Sequence, residues 1–129
     1  MKNTLQKQER LCSKKQMEWL FAKGISKNAS PLKLIYIKNS EKPEAGIKAM
    51  FVVPKRKFKK AHDRNKLKRR MREAYRISKN EFYKALDLQS CSLNMAFLYT
   101  ANQSESYATI HTSLTKLLGI LTQEINSKK

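Results

Sequence analysis

Two periods of apolar residues follow one another along the chain, and the switches between them mark its elements. Near the start, Met17, Leu20 and Phe21 recur at helical spacing, which predicts a helix from about Lys14 to Lys23. Ser13 is placed to cap its start, Gly24 stands where a left-handed C-terminal cap would sit, and Leu11 is positioned to pack back on it. Trp19 points to a different side of this helix, and the pattern leaves both a core and a surface role open to it. Leu32 to Ile37 (LKLIYI) follows Pro31 and is short and rich in strand formers. Glu41 to Gly46 reads as a polar turn. A further strand runs from about Ile47 to Val53, ended by Pro54, which has no N–H to donate.

Helical periodicity returns after a basic loop, from about Arg64 to Lys79. Leu93 to Tyr99 carries no charge, as expected of a buried central strand. Ala101 to Ser106 is a polar loop with serines able to cap the last helix. Tyr107, Ile110, Leu114, Leu117, Leu118, Leu121 and Ile125 mark that C-terminal amphipathic helix, expected to pack on the sheet rather than on a second copy. Residues Asn126 to Lys129 are expected to fray. The order helix, two or more strands, helix, strand, helix predicts an α+β fold, a small mixed sheet with helices packed on it. The 129 residues give room for one domain, with no internal repeat and no linker.

Charge changes the picture from a fold to a function class. The chain has 28 Lys and Arg against 10 Asp and Glu, a formal net charge of +18. Such an imbalance destabilises a compact chain through self-repulsion and points to a polyanionic partner. No apolar run approaches the roughly 18 residues that span a bilayer. The N-terminal sequence MKNTLQKQERL lacks the apolar stretch of a signal peptide, so a cytoplasmic location is expected. Cys12 and Cys91 lie far apart and are expected to be ordinary thiols; His62 and His111 are equally isolated, and no zinc-ligand spacing occurs. The ten acids are scattered, without a carboxylate pair, so no catalytic residue and no protein-bound metal is expected.

Twelve basic residues fall in the twenty-two positions from Lys55 to Arg76: Lys55, Arg56, Lys57, Lys59, Lys60, Arg64, Lys66, Lys68, Arg69, Arg70, Arg72 and Arg76. Only Asp63 and Glu73 oppose them. At about 100° per residue, Leu67, Met71, Ala74 and Tyr75 share one helical face and look inward. Asn65, Arg69, Arg72 and Arg76 form a stripe on the opposite side, with Lys68 at one edge and Lys66, Arg70 and Glu73 along the other. Arg64 falls near the apolar sector, at the first turn. An ordinary solvated helix face alternates sign to form i,i+4 pairs, whereas here neighbouring exposed positions repel. A membrane-surface helix needs a broad apolar face free for lipid, and this one is committed to the core. A ladder of guanidinium groups suits phosphate, which the planar fork grips with two hydrogen bonds. Helix-turn-helix and zinc-finger patterns are absent, and aromatics beside a basic helix suit single-stranded RNA. Tyr36, Phe51, Phe21, Phe97 and Tyr99 are the candidate base platforms, each also able to serve as core.

The segment Pro54 to Arg76, PKRKFKKAHDRNKLKRRMREAYR, closely resembles the signature of the bacterial ribonuclease P protein family: a basic pair after a strand, then Arg-Asn-Arg, an aliphatic residue, Lys-Arg, and Arg-Glu-Ala-aromatic. The resemblance extends to Arg10-Leu11 and to the helix ending Leu20-Phe21-Ala22-Lys23-Gly24. It implies the order α-β-β-β-α-β-α with a left-handed crossover between the third and fourth strands. It also implies a subunit that binds the catalytic RNA of ribonuclease P and the 5′ leader of precursor tRNA, the RNA performing hydrolysis with bound Mg²⁺. By position, Lys55, Arg56, Arg64, Asn65, Lys66, Lys68, Arg69 and Arg72 are expected to contact RNA, joined by Lys59, Lys60 and Arg76 from the charge pattern of the same segment. Met17, Phe21, Tyr36 and Phe51 are expected to line a cleft for the leader, between the sheet and the first helix. The protein would be a monomer within a ribonucleoprotein. Three positions depart from the family pattern: Lys66 replaces the second arginine, Met17 a frequent Phe, and Met50 a common glycine. A ribosomal protein is the rival of another class that fits this composition, and a chain with hydrolytic activity of its own a more distant one.

Overall fold

A computed structural model describes residues 14–39, 46–86 and 92–127. The expected cap at Ser13, the packing of Leu11, most of the polar turn before Gly46, and both cysteines lie outside these residues. The elements are α1 (Lys14–Lys23), β1 (Ile25–Ala29), β2 (Leu32–Asn39), β3 (Ile47–Val52), α2 (Ala61–Ala85), β4 (Ser92–Tyr99) and α3 (Tyr107–Ser127). The order is the expected α-β-β-β-α-β-α, and the strands form one mixed sheet, β1-β2-β4-β3. β4 runs antiparallel to β2 and parallel to β3, so α2 is the crossover that joins two parallel neighbours.

Strand alternation sorts the apolar side chains into two layers. Leu32, Leu34, Tyr36, Ala49, Phe51, Leu93, Met95, Phe97 and Tyr99 face α2 and α3, whose stripes through Leu67, Met71, Tyr75, Ile110, Leu114 and Leu121 complete the main core. The opposite face is smaller. There Leu20 of α1 packs with Ala96, while Met17, Ile35, Ile37, Met50 and Leu98 are half-buried around them. The stripe of α3 is thus spent on the sheet and α2, as its pattern predicts. Phe51 and Phe97, opposite each other in the β3–β4 register, stack at 5.6 Å, and Tyr75 of α2 meets Phe51 edge-on at 5.7 Å.

Four features differ from the sequence expectations. β1 (ISKNA) has little apolar content and no clean alternation; it is held by β2, by the Lys27–Glu124 ion pair at 2.6 Å, and by the Ser113 hydroxyl donating to the Ala29 carbonyl. α2 continues past Lys79 to Ala85, burying Lys79 and Phe82. α3 extends into the stretch expected to fray, and the Asn126 side-chain amide donates to the Ala85 carbonyl at 3.0 Å. Gly24 ends α1 without a positive φ, which among the glycines belongs to Gly46 alone. Its role is close approach: a Cβ there would come within 2.5 Å of both the Ile35 methyl and the Leu20 carbonyl oxygen.

The loop after β4 is organised by Tyr99. Its hydroxyl donates to the Gln103 carbonyl at 2.6 Å and accepts from the Glu105 N–H at 2.9 Å, and burial pushes its pKa up. Ser106 then caps α3, its hydroxyl accepting from the Thr109 N–H.

Two substitutions test these contacts through stability. Gly24→Ala should cost about 1–3 kcal/mol through overpacking, measured as a lower urea midpoint with an unchanged slope. Tyr99→Phe should cost about 1–3 kcal/mol near neutral pH by leaving two loop groups unpaired. Because the folded hydroxyl holds its proton more tightly than the unfolded one, its advantage is full below the ordinary value of 10.0 and is lost as pH rises through the folded value. The stability gap between wild type and Tyr99→Phe should therefore narrow above about pH 10, and a gap that widens there would contradict the assignment.

Candidate nucleic-acid interface

The basic segment begins where β3 ends. Pro54 closes the strand, and its carbonyl accepts hydrogen bonds from the Lys57 and Phe58 N–H groups, bending the chain so that Lys55 and Arg56 stand exposed. Lys59 and Lys60 are also exposed just before α2. Lys60 is the extended cap residue and has no side-chain cap bond, so the positive end of the α2 dipole is flanked by cations. Asp63 is the one acid in the first turn, and the cations around it leave that end short of the negative charge it favours.

On α2 the inward side is as the helical wheel places it: Leu67, Met71, Ala74 and Tyr75 are fully buried. Asn65, Lys66, Arg69 and Arg72 are exposed, and Lys68 is half-buried at the edge. Among the described residues neither Arg69 nor Arg72 enters an ion pair. Arg76, at the far end of the stripe, is bonded to Glu73, and that guanidinium holds the Glu73 carboxyl below its ordinary value.

Several cations of the segment are committed internally. The Arg64 guanidinium donates to the Phe58 and Lys59 carbonyls at 2.8 Å each, which pins the entry loop. Arg70 reaches the Glu105 carbonyl at 2.5 Å and the Ser104 hydroxyl at 3.3 Å, and Lys57 donates to the Thr100 carbonyl. These ties join the basic segment to the loop that Tyr99 holds. Charge counting did not reveal them, since each partner is a backbone or hydroxyl oxygen that every sequence supplies.

The residues expected to line one cleft do not stand together. Met17 is half-buried on the α1 face and Phe21 is 46% exposed on α1. Tyr36 lies on the other face of the sheet, in the main core, where its edge borders a cavity of about 240 Å³ with Lys23 and Ile37. Phe51 is stacked on Phe97 in the main core, so it lines no cleft beside α1. The cause is parity: along β2 and β3, alternate residues point to opposite faces, and Tyr36 and Phe51 fall on the α2–α3 side. Phe97 and Tyr99, the other candidate platforms, are likewise core. Trp19 resolves as a surface aromatic, 39% exposed.

Among the described residues no three His, Cys, Asp or Glu side chains converge as metal ligands, and no helix is long and apolar enough to cross a membrane.

The family model for ribonuclease P matches residues 5–122 of this chain. The chain is 29% identical to the ribonuclease P protein component of Porphyromonas gingivalis over 88% of its length and 83% of that protein. It is 34% identical to that of Chlorobaculum tepidum over 77% of its length and 69% of that protein. The fold matches the ribonuclease P protein of Staphylococcus aureus with a TM-score of 0.68 at 20% identity, covering 88% of this chain and 94% of that one. The Thermotoga maritima protein gives a TM-score of 0.65 at 23% identity over 85% and 94% of the two chains. With its basic crossover helix, its sheet order and a family match spanning nearly its whole length, this chain belongs to the ribonuclease P protein family.

Proposed function

We propose that this chain is the protein subunit of a ribonucleoprotein endonuclease that removes the 5′ leader of precursor tRNA. The observation that carries the reading is the outer face of α2, where Asn65, Lys66, Arg69 and Arg72 stand exposed on a helix fixed by four fully buried residues. This face, extended by Lys55, Arg56, Lys59 and Lys60, would neutralise phosphates of the catalytic RNA. The α1 side of the sheet, where Met17 and Phe21 stand, would receive the single-stranded leader. The chain would bind and orient RNA, while Mg²⁺ held by the RNA subunit would supply the hydrolytic chemistry.

The geometry separates two kinds of arginine. Arg69→Ala and Arg72→Ala should each weaken RNA binding several-fold to about tenfold with the fold intact, since both side chains face solvent. Arg70→Ala should instead cost about 1 kcal/mol of stability by releasing the loop at Ser104 and Glu105. If about six phosphates are engaged, affinity should fall with salt at a log–log slope near −4 for single-stranded contacts. A slope near zero, or unfolding of the Arg69 and Arg72 variants, would refute this account.

The direct test is cleavage of precursor tRNA by the cognate RNA subunit at low Mg²⁺, with and without this protein. Strong stimulation, with none from the protein alone, is the expected result. Tight RNA binding without stimulation would remove the chain from leader processing.

A further inference from the structure

Trp19 is the chain's single tryptophan, and neither the α2 face nor the Met17–Phe21 side uses it. It lies on α1, about 160° around the helix from Phe21, so it faces away from that side. The positions bordering it one turn before and after are Lys15, Gln16, Ala22 and Lys23. That border holds two cations, an amide and a methyl group, with no acid. Lys15, Ala22 and Lys23 are all exposed, and the indole itself is 39% exposed. Lys14 adds another exposed cation on the helix, against the one acid, Glu18.

A large aromatic left open on an ordinary surface costs solubility and gains nothing, yet α1 already has Leu20 and Met17 to anchor it. An exposed ring between cations is what a single strand requires: the base stacks on the ring while its flanking phosphates meet the ammonium groups. Duplex RNA offers no free base face and cannot use the ring in this way. The charge around Trp19 matches a polyanion and repels a basic surface.

We propose that Trp19, flanked by Lys15 and Lys23, is a stacking platform for one nucleotide of single-stranded RNA, on the side of α1 turned away from Phe21. The proposal rests on the reading of this chain as an RNA-binding protein and adds a base contact that the α2 face does not supply.

Because the chain has one tryptophan, the site reports on itself. The intact protein is titrated with a single-stranded RNA oligonucleotide of mixed sequence, following indole emission and, in parallel, the anisotropy of labelled RNA. Emission should be quenched in step with binding. An RNA duplex of equal length and inorganic polyphosphate, neither offering an unstacked base, should bind with little quenching. Trp19→Ala should weaken single-strand binding about tenfold, and Trp19→Phe, which keeps a ring, should recover most of that loss. Saturating anisotropy with unchanged emission, equal quenching by polyphosphate, or a Trp19→Ala protein that binds as tightly as wild type would each overturn the proposal. The variant carrying Arg69→Ala and Arg72→Ala keeps the two readings apart. It should show the same quench once RNA is raised to saturation, and if its affinity proves unchanged, the α2 reading fails while the platform stands.

Discussion

β4 requires a neighbour on each edge and a cover on each face, and that requirement arranges the rest of the molecule. Its side chains from Ser92 to Phe97 are buried without interruption. β2 supplies one edge in antiparallel register and β3 the other in parallel. A parallel neighbour that comes directly before in sequence obliges the chain to travel back along the sheet, and α2 is that return path. The basic helix is therefore the structural crossover as well as the candidate binding element. Its inner side chains are set by the strands beneath, and its outer side chains are presented at an angle that the sheet dictates.

The energetics of α2 are a contest that packing wins. Burial of Leu67, Met71 and Tyr75 contributes roughly 1.5–3 kcal/mol for each side chain. Repulsion between like charges one turn apart on an exposed face costs only a few tenths of a kcal/mol per pair. Several such pairs do not outweigh the buried side. The helix can hence carry a dense array of cations without leaving its place.

Much of this was legible in the sequence, for reasons that particular residues show. The α2 wheel was readable because Leu67, Met71, Ala74 and Tyr75 repeat with the helical period and nothing apolar interrupts the other face. Leu93 to Tyr99 declared a central strand by lacking charge. β1 was not readable, because ISKNA is held by Glu124 and Ser113, some eighty or more residues away in sequence. That Tyr36 and Phe51 fall on the α2–α3 face of the sheet was not readable for a related reason. β2 is apolar on both sides, Leu32, Leu34 and Tyr36 on one and Ile35 and Ile37 on the other, so alternation defines two sets without saying which helix covers which. Gly24 was correctly placed at the end of α1, but its cause was a neighbour across space rather than its own backbone angle.

The commitments of Lys57, Arg64, Arg70 and Arg76 give formal charge a different meaning. Four of the twelve cations in the segment are tied to carbonyl, hydroxyl or carboxylate oxygens of the protein itself. They brace the scaffold on which the outward cations crowd one another. A polyanion that settles on the outer group relieves that crowding, so it acts as a ligand for the folded state and raises its apparent melting temperature with concentration. The conformational lifetime of such a subunit is then a property of its complex rather than of the chain alone. The free protein, kept in excess of its partner, would be the form most exposed to proteases.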